Sequence, residues 1–243
     1  MNKTITVIVP CYNEEKIIYN NIIKLNKGLK KTNRKIKLVL LNDGSTDNTK
    51  SEIDRLYKKV DFKYFEYDFP SRRENLLHCI DNFIKTKYLM FLDCDMATDL
   101  KDLKPLFNNL KYYDIVSGSR YLTSSKVERN TIRRIISFIF NNSIRLLFGS
   151  KIRDHECGFK AFDTKKLKKI IKITKYGDLV SSRKMFWDTE MWITAQRLGY
   201  KILEIPIAWK AGDKSALRFK TEISMLSYIL KYFINSKIKK VKK

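Results

Sequence analysis

Along the first half of the chain, apolar runs of strand length alternate with helical patterns, and each run ends in a polar loop. Thr4 to Pro10 reads as a strand closed by Pro10. Cys11-Tyr12-Asn13-Glu14-Glu15 follows, then a helical pattern at Ile17, Ile18, Ile22, Ile23 and Leu25 that Asn13 can cap. Ile36 to Leu41 is a second strand, running into a loop where Asp43-Gly44 signals a turn and Ser45 or Asp47 caps the next helix. Phe62 to Tyr67, Tyr88 to Leu92 and Asp114 to Ser119 continue the strand series. Helices over Arg72 to Ile84 and near Leu103 to Leu110 separate them. This alternation predicts an α/β protein with a doubly wound sheet.

The second half changes character. Thr131 to Phe148 patterns as a helix with a broad apolar side and arginines elsewhere, which suits either a sheet cover or a helix lying in a membrane interface. Lys165 to Lys175 reads as a solvated, lysine-rich helix face. Trp187 to Leu198 is a further helix, with Asp188 as its N-cap and Gly199 at its end, and Tyr200 to Ile207 is the last strand. Glu222 to Ile234 is apolar and aromatic, and Lys237 to Lys243 is a basic tail. The expected division is one catalytic domain over residues 1–220 and a C-terminal amphipathic helix with its tail over 221–243.

Charge narrows the partners. Fifty basic residues against 26 acidic give a formal net charge of +24, which asks for an anionic partner. The candidates are nucleic acid, phosphorylated substrates or an anionic membrane surface. The four cysteines form no C-x-x-C pair, so neither a zinc site nor a disulfide framework is expected and a reducing cytosol fits. The opening MNKTITVIVP is too short in apolar length for a signal peptide, and no apolar run approaches membrane-spanning length. Any membrane contact is expected to be peripheral, on the cytoplasmic face.

The candidate chemistry sits at the end of the Tyr88 strand, where Asp93-Cys94-Asp95 interrupts the apolar run. Ligands of open α/β sheets gather beyond the carboxyl ends of strands. Two carboxylates spaced by one residue there can hold one Mg²⁺ or Mn²⁺, together with the phosphates of a ligand. Asp154-His155-Glu156-Cys157 is also dense in metal-ligating types, but consecutive side chains do not converge on one ion. Arg72 and Arg73 read either as surface charge or as cations facing donor phosphates.

Six stretches together carry a resemblance: VIVPCYNEE, LLNDGSTDNT, FLDCDMATD, SGSRY, DHECGFKAF and FWDTEMW. In this order, over roughly residues 4 to 220, they resemble glycosyltransferase family 2, and within it the polyprenyl- or dolichyl-phosphate glycosyltransferases, the glucosyl branch more than the mannosyl. The resemblance implies a GT-A, Rossmann-like nucleotide-sugar-binding fold with amphipathic membrane-interface helices. It implies an inverting transfer of a glucose- or mannose-type sugar from a nucleotide-diphosphate sugar to a polyprenyl or dolichyl phosphate, with nucleic acid excluded as a partner.

By the same resemblance Pro10, Tyr12, Asn13, Glu14, Asp43 and Gly44 would hold the nucleoside side of the donor. Asp93, Cys94 and Asp95 would hold ribose and metal-diphosphate, with Lys210 and Lys214 near the diphosphate. Arg120 with Arg133 or Arg134 would receive the lipid phosphate. Asp154 and Glu190 would line the sugar or acceptor pocket. The sequence departs from the family at Asn42, where many relatives have a second Asp. It departs again in PSRRENLLHC, which lacks a Gly-rich Lys-Gly pattern, and at Lys210, which stands where the mannosyl branch has Arg. Two rivals stay open. A family 2 enzyme with a hydroxyl acceptor would need a carboxylate base such as Asp188 or Glu190. A non-enzymatic basic binder of nucleic acid or membrane would leave the ordered acidic loops unexplained.

Overall fold

The computed structural model describes residues 3–71, 73–174, 186–210, 228–230 and 232–234. Its centre is a seven-stranded sheet in the order β3-β2-β1-β4-β7-β5-β8. The strands are β1 (Ile5–Cys11), β2 (Ile36–Asp43), β3 (Lys63–Tyr67), β4 (Tyr88–Phe91), β5 (Ile115–Ser119), β7 (Lys160–Asp163) and β8 (Ile202–Pro206). β6 (Lys126–Glu128) and β9 (Ala208–Lys210) form a separate parallel pair, with Val127 opposite Trp209. The helices are α1 (Ile18–Lys30), α2 (Thr49–Leu56), α3 (Arg73–Phe83), α4 (Leu103–Asn109), α5 (Thr131–Phe148), α6 (Thr164–Thr174) and α7 (Trp187–Arg197).

The sheet is covered on both faces, which is why its inner strands read as unbroken apolar runs. Val7, Val9, Leu38, Leu40 and Met90 share one core with Ile22 and Leu25 of α1, Ile53 of α2 and Leu106 of α4. Ile8, Val39, Leu41, Leu89 and Phe91, one residue out of phase, share the other with Leu76 of α3, Leu167 of α6 and Trp192 of α7. Pro10 does not close β1, which continues through Cys11. Ile8 offers its carbonyl to Leu92, so Pro10, two residues on, faces the same side. Pairing with β4 has ended there, and the missing N–H costs no ladder bond.

Strand direction gathers the site. β1, β2, β3 and β4 are mutually parallel, so the loops after Cys11, Asp43 and Phe91 leave one sheet edge together. β7 runs antiparallel between β4 and β5, so it enters from that edge and brings the Asp154–Gly158 loop with it. The sequence pattern does not predict β7: it is four residues long and carries a lysine. Asn13 does not cap α1. It adopts φ +55°, accepts from Thr46 N at its side-chain oxygen and donates its own backbone N–H to Ser45 Oγ, fastening the first loop to the second. The N-cap role does fall to Asn130, which accepts from Ile132 N to start α5, while Gly149 at φ +63° ends it.

Candidate active site

The D-x-D turn is pinned on several sides. Asn21 of α1 donates to the Cys94 carbonyl (2.9 Å), Ala97 N donates to Asp95 Oδ1 (3.1 Å), and Met96 takes φ +51°. β9 is laced to the following segment, since Asp99 N donates to the Ala208 carbonyl and Lys210 N to the Ala97 carbonyl. The result is a recess of about 70 Å³ in which Asp93 and Asp95 are joined by Thr98, Arg120, Glu156, Gly158 and Trp209. Crowding by protein, then the charge of Asp93, pushes the Asp95 carboxyl up to about 6.

Such a strained carboxylate pair is chemically suited to a cation. No group of three or more His, Cys, Asp or Glu side chains converges among the described residues. A hard divalent ion held by two carboxylates and completed by ligand phosphates fits this donor set. Cys94 is buried, and burial pushes its thiol well above its usual range, so it packs the turn as a neutral thiol.

Gly158 explains how Asp93 fits. A Cβ on Gly158 would lie 1.8 Å from Asp93 Oδ2. Behind the aspartates lies a buried ion network. Asp188 sits within the first turn of α7 and does not cap it. Its Oδ2 accepts from Arg73 Nε (3.0 Å) and its Oδ1 from Lys160 Nζ (2.5 Å), with all three residues buried. Burial works to raise the Asp188 pKa, but Arg73 and Lys160 outweigh it and hold the carboxyl below the usual range. Arg73 Nη1 also lies 4.0 Å from Asp93 Oδ1, which ties the network to the recess.

The remaining expected residues divide. Tyr12, Asn13, Glu14, Asp43 and Gly44 stand at the same edge of the sheet. Asp43 is buried and accepts from Ser71 N and Asn75 Nδ2, and Gly44 takes φ +69° against the Phe69–Pro70 backbone. Asn42 is wholly structural: its amide meets Tyr64 and Glu66, and its carbonyl oxygen accepts from Ser45 N. Asp154 is fully buried and takes both Nε and Nη2 of Arg120, so it does not line a pocket with its carboxylate. Glu190 is 4% exposed and accepts from Tyr228 Oη, away from the recess. Lys210 pairs with Glu128 at the end of the β6–β9 unit and is not among the recess side chains. Lys214 lies outside the described residues. His155 sits in the core between Ser150 Oγ and Asn141 Oδ1, and burial lowers it to about 4.

A second cavity, of about 670 Å³, opens beside the recess and shares Arg120 with it. Its wall carries Arg129 and Arg134 together with Tyr121, Val127, Ile135 and Phe138. Of the two arginines expected from α5, Arg134 lines this cleft and Arg133 does not. Arg129, Glu156, Gly158 and Trp209 of the two cavities, and Lys160 of the network behind them, received no role from the sequence. The signals were the Asp154-His155-Glu156-Cys157 run, discounted as a metal cluster, and the C-G-F-K stretch that follows it.

The comparisons with known proteins agree with this geometry. The model of glycosyl transferase family 2 matches residues 6–171. The glycosyltransferase AglD of Haloferax volcanii is 30% identical over 233 residues, covering 93% of this chain, which spans only 36% of AglD. A dolichyl-phosphate beta-glucosyltransferase of Trichomonas vaginalis, ALG5A, is 29% identical over 250 residues, covering 95% of this chain and 73% of that protein. Glucosyl-3-phosphoglycerate synthase from Mycobacterium tuberculosis, crystallised with Mg²⁺ and UDP, superposes with a TM-score of 0.68 at 16% identity, covering 94% of this chain and 79% of its own. That likeness establishes the GT-A fold expected from the six motifs. With its family model matched over most of the sheet and the D-x-D turn at the sheet's carboxyl edge, the chain belongs to glycosyl transferase family 2.

Proposed function

We propose that this protein transfers a glucose- or mannose-type sugar from a nucleotide-diphosphate sugar to the phosphate of a polyprenyl or dolichyl lipid, while resting on the cytoplasmic face of a membrane. One observation carries this reading over a hydroxyl acceptor. Neither carboxylate offered by the sequence as a base is placed to act as one: Asp188 is consumed by Arg73 and Lys160, and Glu190 is buried against Tyr228. A lipid phosphate brings an oxygen that is already anionic near neutral pH and needs no strong base. The cleft beside the recess mixes arginines with Ile135 and Phe138, which suits an anion on an apolar tail. ALG5A, by name, acts on dolichyl phosphate, which supports the same acceptor class.

In this reading Asp95 and Asp93 would hold a Mg²⁺ or Mn²⁺, which would supply positive charge against the departing nucleoside diphosphate. Asp93 keeps its orientation through Arg73 and the bare backbone of Gly158. Pro10, Tyr12, Asn13, Glu14, Asp43 and Gly44 frame the nucleoside. Attack from the acceptor cleft, on the opposite side from the departing diphosphate, inverts the anomeric carbon. Free, buried cysteines suit the cytoplasmic placement. No helix among the described residues is long and apolar enough to cross a membrane, and α5 is proposed as the surface that rests on it.

The second reading, a hydroxyl acceptor, is favoured by Glu156, which is exposed and faces the recess. The test feeds a panel of nucleotide sugars with Mn²⁺ to the protein and offers dolichyl phosphate, undecaprenyl phosphate or soluble sugars as acceptors. Transfer to the lipid phosphates that survives Glu156→Gln supports the first reading. Transfer to soluble sugars that falls about a hundredfold or more in that variant supports the second.

A further inference from the structure

Three guanidinium groups line the cleft beside the aspartate recess, and they are not equivalent. Arg120 has its fork filled by Asp154, at 2.7 Å on both contacts. Arg134 stands exposed at the rim. Arg129 lines the same cleft with its Nε buried and without a hydrogen-bond partner. No carboxylate among the described residues pairs with it. An unsatisfied buried donor on a cation is costly unless something arrives to meet it.

The position of Arg129 is built. It directly follows β6, whose pairing with β9 sets Val127 opposite Trp209. The Arg129 guanidinium lies 5.7 Å from the centre of the Trp209 ring, and that of Arg120 lies 5.5 Å from it. Burial, followed by repulsion from Arg120, lowers the Arg129 pKa. The surroundings therefore disfavour its charge until an anion enters. Trp209 also lines the recess of Asp93 and Asp95, so an anion on Arg129 is one side chain away from the donor site.

We propose that Arg129 receives the anionic headgroup of the acceptor, and that Arg120 is withheld by Asp154 to serve as a wall between the two sites. The assignment rests on the lipid-phosphate reading above. A planar guanidinium fork matches two oxygens of a phosphate monoester, and Ile135 and Phe138 receive the first carbons of the tail.

The test measures binding of the full chain to phosphatidylcholine vesicles doped with dolichyl phosphate or, as the control, with dolichol. Binding of UDP and GDP in Mn²⁺ is measured in parallel. The wild type is expected to prefer the phosphate. Arg129→Gln is expected to reduce that preference about tenfold or more while nucleotide binding stays unchanged. Arg129→Lys, which keeps the charge and loses the fork, is expected to fall between them and decides the matter if the glutamine variant does not fold. Equal preference in wild type and variants overturns the role of Arg129 and leaves the lipid-phosphate reading standing. A wild type that does not distinguish dolichyl phosphate from dolichol overturns that reading, and this assignment with it. Parallel loss of nucleotide binding marks Arg129 as merely structural and overturns the assignment.

Discussion

Arg120 and Asp154 close a two-pronged ion pair where the aspartate recess meets the arginine-lined cleft, with Nε on Oδ2 and Nη2 on Oδ1, both at 2.7 Å. The Arg120 backbone N–H adds a third contact to the same carboxylate at 2.9 Å. Asp154 is fully buried, so the pair is insulated from screening and competes with no water. A residue so engaged organises the site from behind.

Breaking this pair should unfold more than it disarms. Asp154→Asn leaves the Arg120 cation buried without its counter-charge, and such a loss costs about 3–5 kcal/mol. Urea unfolding at neutral pH should show the loss as a lower midpoint. Burial tends to raise the Asp154 pKa, but Arg120 outweighs it and holds the folded value below the ordinary carboxylate range. The stabilisation is therefore complete above the unfolded pKa and is lost as pH falls through the folded one. The wild type should lose stability in acid below about pH 4 more steeply than Asp154→Asn does. Parallel acid curves for the two proteins would show that the pair carries no linked protons.

Asp95 has the opposite sign. Its folded pKa is raised to about 6 by burial and by Asp93. The stability linked to its proton is full below the ordinary aspartate value of 3.8 and is lost as pH rises through about 6. At neutral pH the apo protein thus carries a repelling carboxylate pair, and a divalent ion relieves it. The rise in Tm on adding Mn²⁺ should grow between about pH 5 and pH 7. In Asp95→Asn that rise should vanish and transfer should fall by about a hundredfold or more, with the fold intact. Unchanged turnover in Asp95→Asn excludes the metal role.

Gly158 offers a cleaner separation of fold from function. The atom that a Cβ at this position would strike is the carboxylate tip of Asp93, at 1.8 Å. A side-chain tip can swing aside, so Gly158→Ala should fold. The swing takes Asp93 away from the recess and from Arg73, and misplacement of that size costs about a hundredfold in rate. Thermal unfolding should be little changed while Mn²⁺-dependent nucleotide binding and transfer drop together. A Gly158→Ala enzyme of wild-type activity would remove Asp93 from the site.

The legible parts of the chain were those fixed by local chemistry. β1, β2 and β4 showed themselves because burial on both faces forces continuous apolar runs. α5 showed its span because its apolar positions recur at helical spacing from Ile132 to Phe148. The D-x-D turn was visible because two aspartates stand at the end of such a run. What stayed hidden depends on partners distant in sequence. Lys160 reads as a surface residue until Asp188, 28 positions later, is placed beside it, and so β7 was not recognised. Asp188 reads as a helix cap because Asp is common at helix starts, and only the tertiary fold brings Arg73 to it, 115 positions away. Arg129 lacks any sequence cue, since its importance comes from an unmet donor beside Trp209.

The proposed membrane contact is α5, whose apolar side chains divide between the core and solvent. α5 buries Ile144 together with Ser137 and Asn141, and Asn141 Oδ1 accepts from the His155 backbone N–H at 2.9 Å. The outward side instead carries Ile132, Ile135, Ile139 and Leu146, the last 87% exposed. A stripe of large apolar side chains facing water is unusual on a monomer and marks a surface that another phase or protein covers. Arginines at 134 and 145 accompany the stripe, which matches an interfacial helix drawn to anionic lipid. The double variant Ile139→Glu and Leu146→Glu changes two exposed side chains, so its unfolding curve should overlay the wild type. Each substitution removes an apolar group whose burial is worth about 1.5–3 kcal/mol and adds a charge repelled by the surface. Sedimentation with anionic vesicles should fall at least about tenfold, while transfer to a short-chain polyprenyl phosphate in detergent persists. Vesicle binding equal to that of the wild type would mean that α5 meets something other than a membrane.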